Sequence, residues 1–473
     1  MKTVALLLSA LPVWAASCGD LAKLTLPHAT ITAAELVPAS HVCRVAATLK
    51  PTTDSDVKIE VWMPESGWNG KLESVGNGGW SGAINQNGLK AAVAAGYASA
   101  STDTGHSGGS AKFALGHPEK LIDYAYRSEH EMTVAAKAIL AAFYGRGPRL
   151  SYWNGCSAGG KQGLMEAQRY PADYDGIVSG SPAANWIGRA AQSIWVAQAV
   201  HMSDGAFIAP EKYPAIHRAA LAACDELDGV KDGVIENPAA CKFDPAELLC
   251  KDGDSVECLT QPQVDAARKI YAASTNPRTG ERLYAGLFPG SELSWQVWGG
   301  RQPLSIGLDY FRYVVFENPD WDFRTLNFDA DIARAEKLDH DRIDALNPNL
   351  KPFFTRGGKL LQYHGWSDPQ ISPGNSLDYY QSVVARMGNV DESYRLFMVP
   401  GMAHCGGGDG ATHFDAMPAL ESWVERSHAP GRIVASKGAG EWTHPLCPFP
   451  QVAVYKGAGD PKNAANYTCA KPR

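Results

Sequence analysis

The residues best suited to chemistry in this sequence surround a serine that lies between two glycines. Gly155-Cys156-Ser157-Ala158-Gly159 has the pattern G-x-S-x-G, in which a strained turn exposes a serine hydroxyl at the end of a strand. The strand-like segment RLSYWN precedes this turn, and the helix-like segment KQGLMEAQRY follows it. Glycine and serine are common in ordinary turns, so the motif alone is weak. Its strand-turn-helix context predicts that Ser157 is a nucleophile.

A serine hydroxyl needs a base to take its proton and an acid to orient that base. Asp368 follows the strand-like segment KLLQYHG, and His404 follows the strand-like segment YRLFMVP. Each residue alone has a plainer explanation, because aspartate before proline forms turns and a loop histidine needs no special role. The order serine, aspartate, histidine, each after a strand, is that of the α/β-hydrolase fold, and it predicts a catalytic triad.

A tetrahedral oxyanion also needs hydrogen-bond donors that are already in place. The amide of Ala158, directly after Ser157, is the expected first donor. We expect the second donor in an early glycine-rich loop, GNGGW at residues 76–80. A plain tight turn explains that loop equally well, so the residues alone leave both interpretations open.

Two cysteines are direct neighbours of the predicted nucleophile and base. Cys156 precedes Ser157, and Cys405 follows His404. If the serine and the histidine meet, these cysteines must lie close to disulfide distance, and a bridge would tie the two loops together. The alternative is two unrelated buried thiols, which an exported protein disfavours.

A second group of polar residues lies in the middle of the chain, in the segment CDELDGVKDGV at residues 224–234. Carboxylates interrupted by glycines suit a hard cation with oxygen ligands, and calcium is the expected ion. The predicted ligands are the side chains of three aspartates and the carbonyls of two valines: Asp225, Asp228, Asp232, Val230 and Val234. The spacing differs from that of an EF-hand, and a solvated acidic turn is the alternative. We expect a structural ion, because hydrolysis by a triad needs no metal.

Strands and helices alternate around the predicted catalytic motifs and must position them. β-rich runs separated by glycine turns fill residues 57–104, and apolar residues recur at helical spacing soon afterwards. This alternation predicts an α/β fold with a parallel sheet covered on both faces. The pattern is interrupted by a long stretch rich in proline, glycine and aromatic residues. We therefore predict an α/β-hydrolase domain made of residues 17–185 and 348–473, with residues 186–347 inserted as a lid.

Composition limits the classes of function that these motifs can serve. The chain has 473 residues, of which 45% are apolar and 20% charged, as in large soluble proteins. Its net charge of -7 gives no reason to expect nucleic acid or an anionic membrane as a partner. Residues 1–16 combine Lys2, an apolar run too short to span a bilayer, and two final alanines, which predicts a signal peptide. A buried first helix or a membrane anchor is the alternative. We expect a soluble protein that is secreted or periplasmic.

Export changes the interpretation of the ten cysteines. In an oxidising compartment an even number of cysteines predicts disulfides rather than metal ligands or free thiols. The paired CxxC motifs of a zinc site are absent from the sequence. Spacing does not fix the pairing, although Cys250 and Cys258 would close a short loop at low entropic cost. We expect five bridges.

Taken together, these motifs resemble the tannase and feruloyl esterase family, whose members include a mono(hydroxyethyl) terephthalate hydrolase. The resemblance extends from about Cys43 to Cys469 and is carried by VGNGGWSG, STDTGH, GCSAGGKQGLMEAQRYPADYDGIVSGSPA, CDELDGVKDGVIENPAAC, YHGWSD, VPGMAHCGGG and CPFPQVAVYKGAGD. It implies an α/β-hydrolase core with a large lid, a structural calcium in that lid, and Gly79 and Ala158 as oxyanion donors. It also implies the disulfide pairs Cys18–Cys43, Cys156–Cys405, Cys224–Cys241, Cys250–Cys258 and Cys447–Cys469.

Family members of this kind hydrolyse esters of aromatic acids, such as gallates, ferulates and terephthalate half-esters. The resemblance therefore implies a secreted serine carboxylesterase for a small phenolic ester, or for such an ester on a plant polymer, acting as a monomer or dimer. In the lid, Trp295 and Trp298 are candidates for stacking on a substrate ring, and Arg301 and Arg312 for binding a free carboxylate. For all four, lid packing or exposure to solvent is the alternative. The lid segment that supplies a carboxylate-binding arginine in the terephthalate branch is shorter and different here, so we favour an ordinary phenolic ester.

Two other classes of function share these features. A secreted binding protein with the same fold would lack catalysis, and labelling of Ser157 by a serine-directed phosphonate would distinguish it. A peptidase or amidase would use the same triad, and parallel assays of an aromatic ester and its amide would separate that class.

Overall fold

The computed structural model describes residues 16–38 and 40–472. Of the predicted signal peptide, residues 1–16, only Ala16 falls inside this part of the chain, so that prediction lies outside the described residues. Among the helices that are described, none has the length and apolar character needed to cross a membrane.

The β-strands of the described residues are numbered in chain order. They are β1 Ala29–Val37, β2 Val42–Leu49, β3 Val57–Pro64, β4 Lys71–Val75, β5 Ala98–Thr102, β6 Leu150–Cys156, β7 Gly176–Gly180, β8 Ser274–Thr275, β9 Arg282–Tyr284, β10 Lys359–Gly365, β11 Tyr394–Val399, β12 Ile433–Lys437, β13 Trp442–Leu446, β14 Val452–Tyr455 and β15 Tyr467–Ala470.

The α-helices are numbered in the same way, and two π-helical turns accompany them, at Asp123–Arg127 and Tyr310–Val315. The α-helices are α1 Gln86–Ala94, α2 Pro118–Ile122, α3 Ser128–Tyr144, α4 Ala158–Arg169, α5 Trp186–His201, α6 Tyr213–Cys224, α7 Gln261–Tyr271, α8 Gln296–Gly299, α9 Ser305–Asp309, α10 Ala330–Asp339, α11 Lys351–Thr355, α12 Gly374–Met387 and α13 Met417–Arg426.

One large sheet contains nine of these strands, in the order β1-β2-β3-β5-β4-β6-β7-β10-β11. The six strands from β5 to β11 in that order pair in parallel, as the alternation of strands and helices predicts. At the other edge β1, β2, β3 and β5 pair antiparallel, which was not predicted. The connections at residues 38–41 and 50–56 are too short for the crossover that a parallel pair needs. The sheet is therefore mixed.

Helices cover both faces of the large sheet. Successive strand residues point to opposite sides, so both faces carry apolar side chains that must be buried. Trp153 of β6 packs in one apolar cluster with Met132 of α3 and Leu164 of α4. Its neighbour Tyr152 packs on the other face, in a cluster that includes Leu420 of α13. This arrangement is an α/β-hydrolase-like fold, as predicted.

The segment between β7 and β10 contributes no strand to the large sheet. It contains the helices α5 to α11 and the short antiparallel pair β8–β9. One buried apolar cluster lies wholly within this segment. Another joins the segment to the rest of the molecule, since it contains Trp80 and Ala158 together with Trp186 and Tyr310. The inserted segment thus has its own core and also packs against the catalytic motifs.

Disulfide bonds account for all ten cysteines, and the chain has no free thiol. The pairs are the five that the resemblance implies, Cys18–Cys43, Cys156–Cys405, Cys224–Cys241, Cys250–Cys258 and Cys447–Cys469.

Candidate active site

Ser157 occupies the sharp turn between β6 and α4. Its backbone has φ 65° and ψ -122°, a conformation that residues other than glycine rarely adopt. The flanking glycines make room for the turn, because a Cβ at Gly155 would lie 2.4 Å from the carbonyl oxygen of Gly159. The N–H of Ser157 donates to the carbonyl of Gly180 at the end of β7, at 2.9 Å. The predicted nucleophile is therefore held between two strand ends in a strained backbone.

Asp368 and His404 meet at the ends of the neighbouring strands β10 and β11. Nδ1 of His404 lies 2.8 Å from Oδ2 of Asp368. The other carboxylate oxygen, Oδ1, accepts the backbone N–H groups of Gln370 and Ile371 at 2.8 and 3.0 Å. The loop after β10 thus turns the carboxylate toward the imidazole, which is the geometry of a base oriented by an acid.

The environment of Asp368 favours its ionised form. The side chain is completely buried, and burial alone would raise the pKa of this carboxyl. Its interaction with His404 and hydrogen bonds from His364 and His404 outweigh burial and hold the pKa well below its ordinary value. Asp368 therefore supplies a fixed negative charge at the Nδ1 side of the imidazole.

The Cys156–Cys405 disulfide joins the serine loop to the histidine loop. The two Cα atoms are 6.0 Å apart, although 249 positions separate the cysteines in sequence. Because each cysteine is the direct neighbour of Ser157 or His404, the bridge holds the backbones of the two loops beside each other. The proximity expected from the sequence is present in the fold.

The glycine-rich loop at residues 76–80 lies against the beginning of α4. The carbonyl of Asn77 accepts the N–H of Gly159 at 2.7 Å, and Gly79 has a positive φ of 50°. The carbonyl of Gly79 in turn accepts the hydroxyl of Tyr124 at 2.6 Å. Ala158 is the first residue of α4, where a helix leaves backbone N–H groups unpaired. This arrangement places the predicted oxyanion residues Gly79 and Ala158 on adjoining segments.

A residue of the inserted segment that the sequence did not suggest, Ile306, lies close to the predicted oxyanion loop. A Cβ at Gly79 would lie 3.1 Å from Cδ1 of Ile306. The indole N–H of Trp80 donates to the carbonyl of Ile306 at 3.0 Å. Asp309, three residues later, accepts the hydroxyl of Ser110 at 2.6 Å. The inserted segment is thus hydrogen-bonded to the loop that would bind the oxyanion, and Ile306 lies close to Gly79.

The structure contradicts the predicted ring-stacking role of Trp295 and Trp298. Their exposed fractions are 1% and 0%, and both belong to the apolar cluster that lies wholly within the inserted segment. An indole in this position packs against other lid residues and has no open face for a ligand. The prediction was wrong because aromatic residues in a lid fill its core before they line a pocket.

The two predicted carboxylate-binding arginines are placed differently from each other. Arg301 is exposed, with its guanidinium 5.8 Å from the ring centre of Phe207. Arg312 is half-buried, and its Nε donates to the carbonyl of Trp321 at 3.2 Å. Neither residue has a contact with the serine, histidine or oxyanion loops among the described hydrogen bonds. Their role as carboxylate partners stays a prediction.

The acidic loop at residues 224–234 is folded around its own carboxylates. Asp225 accepts the N–H groups of Asp232 and Gly233, at 3.2 and 2.9 Å. Asp228 and Asp232 each accept the N–H of the residue two positions later, at 3.0 and 3.1 Å. The three carboxylates therefore lie on one small loop.

The electrostatics of this acidic loop fit a cation. Burial, together with smaller contributions from the neighbouring Glu236 and Asp232, raises the pKa of Asp228 to about 6. Burial and Asp225 likewise raise the pKa of Asp232. Clustered, partly buried carboxylates repel one another, and a hard divalent ion would remove that repulsion. The donor set of the predicted ligands consists only of oxygen atoms and is suited to calcium.

A different group of possible metal ligands lies at Cys250, Asp254 and Cys258, whose ligand atoms are within 4.8 Å of one another. The two sulfurs are joined in a disulfide and cannot act as thiolate ligands. The carboxylate of Asp254 is paired with the ammonium of Lys212. This group is therefore a disulfide next to an ion pair, and it stabilises part of the inserted segment.

In fold and site together, the molecule belongs to the α/β-hydrolase class. Its candidate nucleophile, acid and base follow β6, β10 and β11, at the carboxyl ends of parallel strands of the large sheet.

Comparison with known proteins identifies the family. The sequence model described as tannase and feruloyl esterase matches residues 43–470. An uncharacterized esterase of Xanthomonas campestris pv. campestris is 37% identical over 96% of this chain and 91% of that protein. A probable feruloyl esterase B-2 of Aspergillus fumigatus is 37% identical over 94% of this chain and 90% of that protein. The chain belongs to the tannase and feruloyl esterase family and is a carboxylic ester hydrolase.

Solved structures agree with this assignment. The crystal structure of feruloyl esterase B from Aspergillus oryzae has a TM-score of 0.91 and 31% identity, covering 95% of this chain and 98% of that chain. Tannin acyl hydrolase from Aspergillus niger shares the fold, with a TM-score of 0.79 and 23% identity over 94% of this chain and 90% of that chain.

Proposed function

We propose that this chain is a secreted serine carboxylesterase that hydrolyses esters of aromatic acids, such as ferulate or gallate esters, through an acyl-enzyme. One observation carries the proposal: His404 is hydrogen-bonded to Asp368 at 2.8 Å, and a disulfide ties the His404 loop to the Ser157 loop. The aromatic acid is supported by relatives whose names describe feruloyl esterases and a tannin acyl hydrolase.

Acylation begins when the hydroxyl of Ser157 attacks the ester carbonyl and His404 takes the proton at Nε2. Nδ1–H of His404 donates to Asp368, whose ionised carboxylate stabilises the imidazolium that forms. His404 then gives the proton to the departing alcohol. Water, activated by the same imidazole, attacks the aromatic acyl-enzyme and releases the acid.

The negative charge of each tetrahedral intermediate is assigned to the backbone N–H groups of Gly79 and Ala158. The N–H of Ala158 is at the N-terminus of α4, where the helix dipole also favours an anion. The hydrogen bond from Tyr124 to the Gly79 carbonyl restrains the peptide that follows Gly79, and Ile306 leaves little space beside its Cα. Preset donors of this kind are the main contribution to rate in acyl transfer.

The inserted segment, residues 186–347, is proposed to act as the lid over this site. Asp225, Asp228 and Asp232, with the carbonyls of Val230 and Val234, would hold a calcium ion that stabilises one loop of the lid. The ion supplies charge neutralisation for clustered carboxylates. The five disulfides support export to an oxidising compartment.

Terephthalate half-ester hydrolysis is an alternative that needs a cation near the acyl pocket. Arg301 is exposed, and Arg312 already donates to a backbone carbonyl, so neither placement favours it. A ferulate or gallate ester needs no such cation. A panel of hydroxycinnamate, gallate and terephthalate esters would rank the acids directly.

Replacement of the nucleophile tests the mechanism. Ser157→Ala should lower kcat on methyl ferulate or methyl gallate by at least about 1,000-fold, because no other group can form the acyl-enzyme. Ser203→Ala, at an exposed lid serine, is the matched control and should retain full activity. A folded Ser157→Ala protein with near-normal turnover would refute the assignment.

Two further assays separate the rival classes. A serine-directed phosphonate should label the wild type at Ser157 and leave Ser157→Ala unlabelled. Absence of labelling would instead indicate a binding protein with the same fold. Comparison of an aromatic ester with its amide should show turnover of the ester alone, and equal turnover would indicate an amidase.

A further inference from the structure

The carboxylate of Asp368 has a second histidine beside it. His364 lies in β10, and its side chain is completely buried. Its Nε2 lies 3.2 Å from Oδ2 of Asp368 and 3.0 Å from the carbonyl oxygen of Ile371. Oδ2 is the same oxygen that faces Nδ1 of His404. Two imidazoles therefore share one carboxylate oxygen.

The neighbours of His364 determine which ring nitrogen carries its hydrogen. Both groups near Nε2 can only accept, so the hydrogen is on Nε2, where it is hydrogen-bonded to the Ile371 carbonyl and also faces Oδ2 of Asp368. Nδ1 lies 2.6 Å from the hydroxyl of Ser376, which donates to it. The amide of Gln362 donates to the same hydroxyl at 2.6 Å, which fixes its direction. The ring is held on both sides.

We propose that His364 is a positioning residue that fixes Oδ2 of Asp368 toward His404 and takes up part of the carboxylate charge. Among the described residues, Oδ1 is held by two backbone N–H groups, whereas Oδ2 has only the two histidines as donors. His364 is thus the donor on Oδ2 that does not take part in proton transfer. The inference rests on the proposed function, because it needs Asp368 and His404 in their assigned roles.

Other charged groups near Asp368 do not replace this contact. The Arg189 guanidinium on α5 lies near the carboxylate, as does Tyr284 on β9, whose pKa is raised by burial so that the phenol stays uncharged. The Nε of Arg189, however, donates to the carbonyl of Gln370 at 2.9 Å. Among the described residues, His364 is therefore the side chain besides His404 that places an N–H-bearing nitrogen next to Oδ2, at 3.2 Å.

Loss of this donor should have two effects on catalysis. The carboxylate would rotate more freely about its side-chain bonds, so His404 would spend less time in the reactive orientation. The charge on Oδ2 would also act on the His404 imidazolium alone and hold its proton more strongly. The first effect lowers kcat, and the second moves the acidic limb of the kcat/KM profile to higher pH.

The test compares His364→Leu, which removes the donor, with His364→Gln, whose side-chain amide can place an N–H near the original Nε2. His364→Leu should lower kcat on methyl ferulate about 10- to 100-fold with little change in KM. Its acidic limb should move up by about half to one pH unit. His364→Gln should recover most of kcat and the wild-type limb.

Ser376→Ala provides a milder variant if His364→Leu does not fold. It removes the hydroxyl that fixes Nδ1, so kcat should fall about threefold to tenfold, again with the limb shifted upward. Wild-type kcat in either variant, or a lower kcat with an unmoved limb and no rescue by His364→Gln, would overturn the inference. Ser157→Ala measured in parallel separates the two failures, because its inactivity preserves the proposed function even when the His364 variants behave as wild type.

Discussion

The catalytic loops and the acidic loop of the lid are both closed by a disulfide, but the two bridges act on different kinds of structure. Cys156–Cys405 joins residues 249 positions apart; Cys156 is the last residue of β6, and Cys405 lies in the loop after β11. Cys224–Cys241 joins residues 17 positions apart, in a stretch that contains no strand, although Glu236 within it is bonded to His444 of β13 and to the N–H of Ala453 of β14. In the α/β-hydrolase domain, strands fix the positions of the serine and histidine loops, and the bridge links the two loops. In the acidic loop, the bridge, the clustered carboxylates and the two bonds of Glu236 hold the backbone without a strand of its own.

Chain entropy gives the size of this difference. Closing a loop of about 250 residues removes about 5 kcal/mol of unfolded-state entropy, compared with about 3 kcal/mol for a loop of about 17. The other disulfides within the longer loop reduce the first figure. The core bridge therefore contributes to stability and also sets the distance between nucleophile and base. The lid bridge contributes stability to a local turn.

The largest expected effect follows from removal of the Cys156–Cys405 bridge, which tests the difference between the two disulfides. Replacement of both Cys156 and Cys405 by serine should lower kcat by about 100-fold, because the base loop is no longer tied to the nucleophile loop. Replacement of both Cys250 and Cys258 by serine is the matched control, since this lid bridge lies away from the triad. The control should keep kcat within about twofold. Steady-state kinetics on methyl ferulate and thermal unfolding of each variant measure the two effects.

Full activity in the double variant of the core would show that the strands alone position the triad. The Cys156–Cys405 bridge would then contribute only to stability, as the bridges of the lid do. A lower kcat together with an unchanged lid, judged by calcium-dependent unfolding, supports the distinction.

The acidic loop should respond in the opposite way, with a large effect on stability and a small one on chemistry. Asp228→Asn, or removal of divalent ions with EDTA, should lower Tm by about 5 °C, since a ligand at 100 times its Kd contributes about 2.7 kcal/mol. Turnover well below the unfolding temperature should change less than about twofold. Differential scanning calorimetry with and without added calcium measures the stability effect.

Glu226→Gln is the matched control for this loop. Glu226 lies next to Asp225 and also carries a carboxylate, but it is exposed and outside the predicted ligand set. Its replacement should leave the calcium-dependent rise in Tm intact. If Asp228→Asn retained that rise as well, calcium at this loop would be refuted.

The difference between the α/β-hydrolase domain and the lid also explains which features could be predicted from the sequence. Ser157, Asp368 and His404 were placed after strands because a strand and the loop behind it are encoded by neighbouring residues. The role of Trp298 depends on residues far away in sequence, which decide whether an indole fills a core or faces a cavity. Local sequence patterns therefore predicted the catalytic loops, whereas long-range packing determines which aromatic side chains of the lid are buried.

His364 shows an intermediate case. Gln362 and His364 alternate with Leu361 and Tyr363 in β10, so two polar side chains share one buried face of the strand. A buried strand with polar residues at every second position needs partners for them, and that requirement was visible in the sequence. The identity of the partners, Ser376 and Asp368, required the fold.

The smallest expected effect concerns selectivity and tests whether the lid chooses the acid. Ile306→Ala removes the lid side chain nearest Gly79 and should change the ratio of kcat/KM for methyl ferulate and methyl acetate by about five- to tenfold. Trp298→Phe is the control, because Trp298 packs inside the lid and its replacement should lower Tm without changing the ratio. Competition between the two esters in one reaction measures the ratio directly. An unchanged ratio for Ile306→Ala together with an altered ratio for Trp298→Phe would contradict the role of Ile306 in selectivity. Selectivity for the acid would then depend on packing inside the lid and not on the contact between the lid and the oxyanion loop.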